Sequence, residues 1–325
     1  MVVTKTPYRV SLFGGGTDFP NWFKSFGGKV VALAIDKYCQ LDIKPIPINS
    51  RFKYKVIYSK TEETLQISEI EHPAVREALK LYYPNFGLEI RHRGDLPARS
   101  GVGSSSAFAV GLINALHILR DKQIDKKYLA KEAIYLEQIK LGENVGCQDQ
   151  ISCSFGGFNE IEFYKDGKFS VKSLSLTKEK NEELESRICI INTNYKRFSS
   201  DISRKLINNL DGNRSLMFQN MELTQKALEI LKNSKDLDLI GDLLNRNFEL
   251  KSLLNPDAVN EHIRWLYNKG LKNGALGGKI LGAGGGGFLL FWLPKNKKQI
   301  FIDRMRDFSP VSIRIDFRGS VVVTK

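Results

Sequence analysis

The stretch Asp95-Leu-Pro-Ala-Arg-Ser-Gly-Val-Gly-Ser-Ser-Ser-Ala-Phe-Ala-Val-Gly-Leu112 sets two glycines around one apolar residue, follows them with three serines and then opens an apolar run. The run from Ala107 to about Leu119 has the length of a buried helix. The loop before it therefore feeds a helix N-terminus, where unpaired N–H groups and the positive end of the helix dipole favour an anion and glycines let the backbone approach it. Phosphate is one guest for such a loop; a serine-rich N-cap on a core helix is the other reading of the same residues.

The surrounding chain has 325 residues, enough for a large core and two domains, with 42% hydrophobic and 26% charged residues, ordinary for a globular protein. Its net charge is +13. The basic residues are scattered, with short runs such as Lys295 to Lys298 and no aromatic RNA-binding motif, so acidic small molecules are expected as partners and nucleic acid is not. Cys39, Cys147, Cys153 and Cys189 have neither CxxC spacing nor a paired framework, which fits a reducing cytoplasm. The isolated histidines build no metal cluster, and no apolar run reaches membrane-spanning length, so no membrane association is expected.

In chain order, strands are expected at Val2 to Leu12, Lys29 to Ile35, Tyr38 to Ile46, Phe52 to Tyr58 and Leu88 to Arg93, with a helix from Pro73 to Tyr82. Asp125 reads as the N-cap of a helix over Lys126 to Leu141 that stops at Gly142. A glycine-containing loop follows through Gly146 and Asp149, then a hairpin turning at Asp166-Gly167. The polar stretch Thr177 to Ser186 reads as a domain boundary. Beyond it, helices are expected over Ser200 to Leu210, Arg214 to Lys232, Leu237 to Leu253 and Pro256 to Lys272, and the chain ends as strand, glycine loop, strand, helix and strand.

Three glycine loops stand out: Gly14-Gly15-Gly16-Thr17-Asp18, the serine loop, and Gly282 to Gly287. The last matches GxGxxG but runs into the strand-like Phe288 to Leu293, so it lacks the helix that a dinucleotide fold requires. There is no GxxxxGK[ST], and His92-Arg93-Gly94-Asp95 matches a protein-kinase catalytic loop only superficially.

In this order and spacing the three loops resemble the motifs of the GHMP kinases: Pro7 to Ser11 running into Gly14 to Asp18, then Pro97 to Ser105, then Lys279 to Gly287. The resemblance covers nearly the whole chain. It implies a two-domain α+β fold, with residues 1–180 like ribosomal protein S5 domain 2, residues 181–325 ferredoxin-like, and ATP, Mg²⁺ and a small-molecule acceptor in the cleft between them. By that resemblance Pro97, Arg99, Ser100, Gly101, Val102, Gly103, Ser104, Ser105 and Ser106 hold the nucleotide. Ser105 and Glu137 share the Mg²⁺, Asp149 takes the acceptor proton, and Arg9 steadies Asp149 and the transferred charge. Gly14, Gly15, Gly16, Thr17, Asp18, Gly146, Gly284 and Gly285 shape the acceptor site. For Glu137 the residues alone describe a solvated helix position, and for Asp149 a loop Asx-turn.

Galactokinases carry Glu-His where this chain has Gly15-Gly16. The string from Arg9 to Pro20, with Gly27-Gly28-Lys29 and Ala34 to Tyr38, looks most like the branch that phosphorylates D-glycero-D-manno-heptose 7-phosphate at its anomeric hydroxyl, a step toward nucleotide-activated heptose; fucokinase-like domains share much of it. A fucose or galactose kinase, or a non-catalytic sugar or nucleotide sensor, are the alternatives. A phosphorylated acceptor needs a distal cation, for which Lys24, Lys29, Lys37 and Arg197 are candidates and Arg197, at a loop-to-helix junction, is favoured. A homodimer is left open.

Overall fold

The computed structural model describes residues 1–98, 100–174, 177–195, 204–205, 207, 212–234 and 236–324. Its strands are β1 Val2–Phe13, β2 Gly28–Pro45, β3 Tyr54–Ile57, β4 Thr61–Thr64, β5 Leu88–Gly94, β6 Phe158–Phe163, β7 Phe169–Ser173, β8 Ile188–Asn192, β9 Gly277–Ile280, β10 Phe288–Trp292, β11 Val311–Ser312 and β12 Val321–Thr324. The α-helices are α1 Pro20–Phe26, α2 Pro73–Tyr82, α3 Ser104–Leu119, α4 Lys126–Ile134, α5 Gln148–Phe155, α6 Lys178–Arg187, α7 Arg214–Asn233, α8 Leu239–Leu254, α9 Glu261–Lys272 and α10 Lys298–Arg304.

Two sheets organise the molecule. In the first, the order is β12-β1-β2-β5-β3-β4, with β6 and β7 added beside β2. The long β2 lies against β1 over most of its length, while its first part pairs with β6 and its second part with β5. The sequence suggested two strands there because Asp36-Lys37 interrupts the apolar pattern. The backbone instead runs through, and the ladder to β1 shifts register between Pro7 and Tyr8, the local irregularity a bulge introduces.

The second sheet has the order β11-β8-β10-β9, all antiparallel. With α7 to α9 between β8 and β9, and α10 between β10 and β11, this is the split βαβ arrangement of a ferredoxin-like fold. The chain then turns back, and β12 pairs with β1, so the last strand belongs to the sheet that the first strand began.

Helix α3 explains the apolar run at Ala107. Nearly every side chain from Ser106 to His117 is buried, and a helix that is apolar all round belongs inside a protein. Packed on β1, β2 and α5, it holds its N-terminus at a fixed depth. The stretch Thr177 to Ser186, expected as a domain boundary, forms helix α6 between β7 of the first sheet and β8 of the second, capped by the Thr177 hydroxyl, which accepts from the Lys180 N–H. The expected helix over Ser200 to Leu210 lies mostly outside the described residues.

Candidate active site

Strand β1 delivers Arg9 to the centre of a cleft of about 460 Å³. The guanidinium donates from Nε to Asp149 Oδ1 at 2.7 Å and from Nη2 to Asp149 Oδ2 at 2.6 Å, a bidentate pair. Its third nitrogen donates to the Gly101 carbonyl. Arg9 is 3% exposed; burial works against its charge, but the Asp149 carboxylate outweighs it and raises the guanidinium pKa. One side chain thus ties β1, the serine loop and α5 together. Asp149 stands in the first turn of α5, and each of its oxygens keeps a lone pair after bonding Arg9.

The serine loop meets the late glycine loop backbone to backbone. Gly101 has φ +79°, and a Cβ there would lie 2.6 Å from the Leu281 carbonyl oxygen. Phe288 N–H donates to the Ser100 carbonyl at 3.0 Å, fastening the second sheet to the loop. Of the nine residues expected on the nucleotide, Gly101, Gly103, Ser104 and Ser105 line the cleft. Ser100 turns its hydroxyl back onto the Pro97 carbonyl, and Val102 is buried. Arg99 lies outside the described residues.

The hydroxyl on Glu137 belongs to Ser106, at 2.6 Å, and not to Ser105, which is exposed at the cleft. Successive helical residues point about 100° apart, so only one of the two serines can face the core. Glu137 lies in a π-helical turn, Tyr135–Lys140, that continues α4, and it also accepts from Gln150 Nε2 at 2.5 Å. Such turns re-aim side chains and recur at functional sites. Burial first, and then the neighbouring Glu143 and Asp149 charges, push the Glu137 carboxyl up to about 7, against the hydrogen bonds from Ser106 and Gln150.

No group of three or more His, Cys, Asp or Glu among the described residues could hold a metal alone. A carboxylate and a serine hydroxyl suit Mg²⁺, whose remaining ligands are phosphate oxygens and water, but of the expected pair only Ser105 lines the cleft; Glu137 is buried behind Ser106 and Gln150, which both donate to it.

Without a cation, an ionised Glu137 is a liability. The folded carboxyl titrates at about 7 against an ordinary 4.5, so its stabilising contribution is complete below about 4.5 and is lost as pH rises through 7. Glu137→Gln keeps an oxygen for both donors, and we expect the ligand-free variant to be more stable than the parent at pH 8 by about 1–3 kcal/mol, with the gap closing toward pH 5. Mg·ATP should then stabilise the parent more than the variant. Thermal melts at both pH values, with and without nucleotide, check this; a variant less stable than the parent at pH 8 contradicts it.

The acceptor end is built on Asp18, 1% exposed. Its carboxylate accepts from the Gly16 N–H at 3.0 Å and the Gln148 N–H at 3.1 Å, which fix its direction. Burial, and then the Asp149 charge, raise it to about 6. Gly146 is the enabling residue, because a Cβ there would lie 1.9 Å from Asp18 Oδ2. Gly15, Gly16, Asp18 and Gly146 line the cleft. Gly14 and Thr17 instead close the turn, Thr17 Oγ1 donating to the Gly14 carbonyl at 2.8 Å. Gly284 and Gly285 pack against Ala258, and Gly282 and Ala283 take the cleft positions expected of them, because the Gly285 N–H is bound to the Ala258 carbonyl. Arg197 lies outside the described residues.

Sequence reasoning missed the helical contribution from the second half of the chain. Asn220 on α7 donates to the Gly15 carbonyl at 3.0 Å and accepts from Asn247 on α8 at 3.1 Å. Lys251 on α8 also lines the cleft, as does Lys279 on β9. Nothing local marks Asn220, Asn247 or Lys251 apart from other polar residues on amphipathic helices.

The arrangement has an anion cradle at a helix start, a carboxylate fixed by a guanidinium, and a second carboxylate aimed by backbone N–H groups. These are the parts that phosphoryl transfer to a hydroxyl requires. The GHMP kinases N terminal domain model matches residues 70–157 and the GHMP kinases C terminal model residues 208–310, more than half of the chain between them. The D-glycero-alpha-D-manno-heptose 7-phosphate kinase of Campylobacter jejuni subsp. jejuni serotype O:2 is 29% identical over 317 residues, spanning 93% of this chain and 92% of that protein. The galactokinase of Pyrococcus furiosus is 25% identical, spanning 93% and 92%. A D-glycero-D-manno-heptose 1-phosphate kinase from Bacteroides thetaiotaomicron superposes with a TM-score of 0.81 at 20% identity, over 100% of this chain and 99% of that one. No described helix is long and apolar enough to cross a membrane. The chain belongs to the GHMP kinase family, as a phosphotransferase that takes its phosphoryl group from ATP.

Proposed function

We propose that this kinase phosphorylates the anomeric hydroxyl of D-glycero-D-manno-heptose 7-phosphate, giving the 1,7-bisphosphate. The observation that carries the reading is the corner at Gly15-Gly16, two residues without side chains that line the same cleft as Asp18 and the Arg9–Asp149 pair. A large acceptor can enter there and present a hydroxyl to Asp149, which accepts its proton as the oxygen bonds to the γ-phosphorus and ADP leaves. Asp18 accepts hydrogen bonds from other sugar hydroxyls. Mg²⁺, when bound, supplies positive charge at the phosphate oxygens; Ser105 and Glu137 are the residues proposed to hold it, with Ser106 orienting Glu137.

The similarity to the Campylobacter jejuni heptose 7-phosphate kinase supports this acceptor. The test is kcat/KM over a panel of heptose 7-phosphate, unphosphorylated mannoheptose, fucose and galactose. The 7-phosphate is expected to exceed each of the others by at least about tenfold, the worth of one charge-assisted phosphate contact. An unphosphorylated sugar with the higher value overturns the assignment.

A further inference from the structure

Lys251 and Lys279 reach the same cleft from different elements, α8 and β9; Lys279 is buried and Lys251 is half-buried. Lys251 Nζ donates to the Ile280 carbonyl at 3.3 Å and to the Gly282 carbonyl; Lys279 Nζ donates to the Leu12 carbonyl at 2.9 Å. An ammonium carries three donors, so each lysine has at least one left over. Neither has a carboxylate within 4.0 Å among the described residues. Burial lowers both, Lys251 to about 7, and Arg9 adds repulsion to each. Asp149 is already committed to Arg9. A buried Lys279 and a half-buried Lys251 without a protein counter-charge are unfavourable until an anion arrives from outside.

The position says which anion. The Gly282 carbonyl that Lys251 holds belongs to the residue lying against Gly101, where a Cβ on Gly282 would be 2.7 Å from the Gly101 Cα. Lys251 is therefore placed beside the loop whose helix N-terminus receives phosphate. We propose that Lys251 and Lys279 form a phosphoryl-binding pair, and that Lys251 contacts the γ-phosphoryl group during transfer. Lys279, through Leu12, holds the glycine loop against β1 and completes the positive wall. This rests on phosphoryl transfer from ATP and is independent of which sugar accepts.

The first arm of the test contains no sugar. Calorimetry gives the affinities of the Mg²⁺ complexes of β,γ-imido-ATP and ADP for the parent and for Lys251→Met, which keeps the volume and removes the charge. The preference for the triphosphate is expected to shrink by at least tenfold, and Lys251→Arg to keep most of it. Binding of the imido analogue at pH 8 should also take up protons in the parent and less so in Lys251→Met, measured in buffers of different ionisation enthalpy. The charged side chains that line the cleft with Lys251 are Arg9, Asp18, Glu143, Asp149, Arg204 and Lys279, all kept in the variant, so the difference between parent and variant isolates the lysine. A structural tie alone would move neither quantity.

The second arm compares kcat/KM for phosphorylated and unphosphorylated acceptor. If Lys251→Met leaves the nucleotide preference intact but removes the preference for a phosphorylated sugar, the pair reads the acceptor's phosphate and the γ-phosphoryl assignment is wrong. Should both preferences survive, the pair binds no phosphoryl group and the proposal falls. Where Lys251→Met does not fold, Lys279→Met carries the same two arms.

Discussion

Asp149→Asn is expected to lower kcat by at least about a hundredfold while changing ADP affinity little, because a carboxylate that receives the acceptor proton acts mainly in the transition state. The geometry also sets the control. Asn keeps one acceptor oxygen for Arg9 but presents an amide nitrogen where the second bond at 2.6 Å now lies, leaving a buried guanidinium without its counter-charge. Some stability, about 1–3 kcal/mol, should therefore be lost as well. Steady-state turnover must be measured below the variant's melting range, with ADP titrated into the same preparation. Near-normal turnover in a folded sample removes Asp149 from the proton-accepting role.

Gly101→Ala should damage the fold and the nucleotide site together. At φ +79° an L side chain is strained by about 1–2 kcal/mol, and the methyl would also press on the Leu281 carbonyl, 2.6 Å away. Relief requires the two glycine loops to part, which moves the Gly101 carbonyl off Arg9 and opens the phosphate cradle. We expect a loss of about 2–4 kcal/mol in a chemical melt and a KM for ATP raised at least tenfold. A variant within about 0.5 kcal/mol of the parent, with unchanged KM, shows that the loops are not held in contact.

The parts legible in the sequence were those governed by local rules. The N-cap at Asp125 accepts from Tyr128 as its position suggested, and helix α2 spans Pro73 to Tyr82 as expected. The glycine loops announced themselves because only backbone without side chains fits where Gly146 meets Asp18. Helix α5 did not, since Gln148–Phe155 is too short to display a period and follows a loop-like sequence. The π-helical turn that carries Glu137 has no local signature, and a glutamate on a helix reads as solvated by its charge alone, whereas its burial follows from the Ser106 and Gln150 donors packed against it.

Longer-range relations were harder still. Which of Ser105 and Ser106 faces Glu137 depends on the roll of α3 in its packing, a tertiary quantity. The return of Val321–Thr324 to β1 depends on where the second sheet leaves the chain. Lys251 reads as an ordinary lysine on an amphipathic helix; its place in the cleft wall follows from docking α8 against the glycine loop, which no spacing in α8 reveals.

The most direct test of the central claim is the position of the new phosphate. Phosphorus NMR of a reaction with ATP, Mg²⁺ and D-glycero-D-manno-heptose 7-phosphate should show one phosphate added at the anomeric carbon for each ADP released, with the 7-phosphate resonance retained. ADP released without a new sugar phosphate, or a phosphate at any other carbon, contradicts the claim.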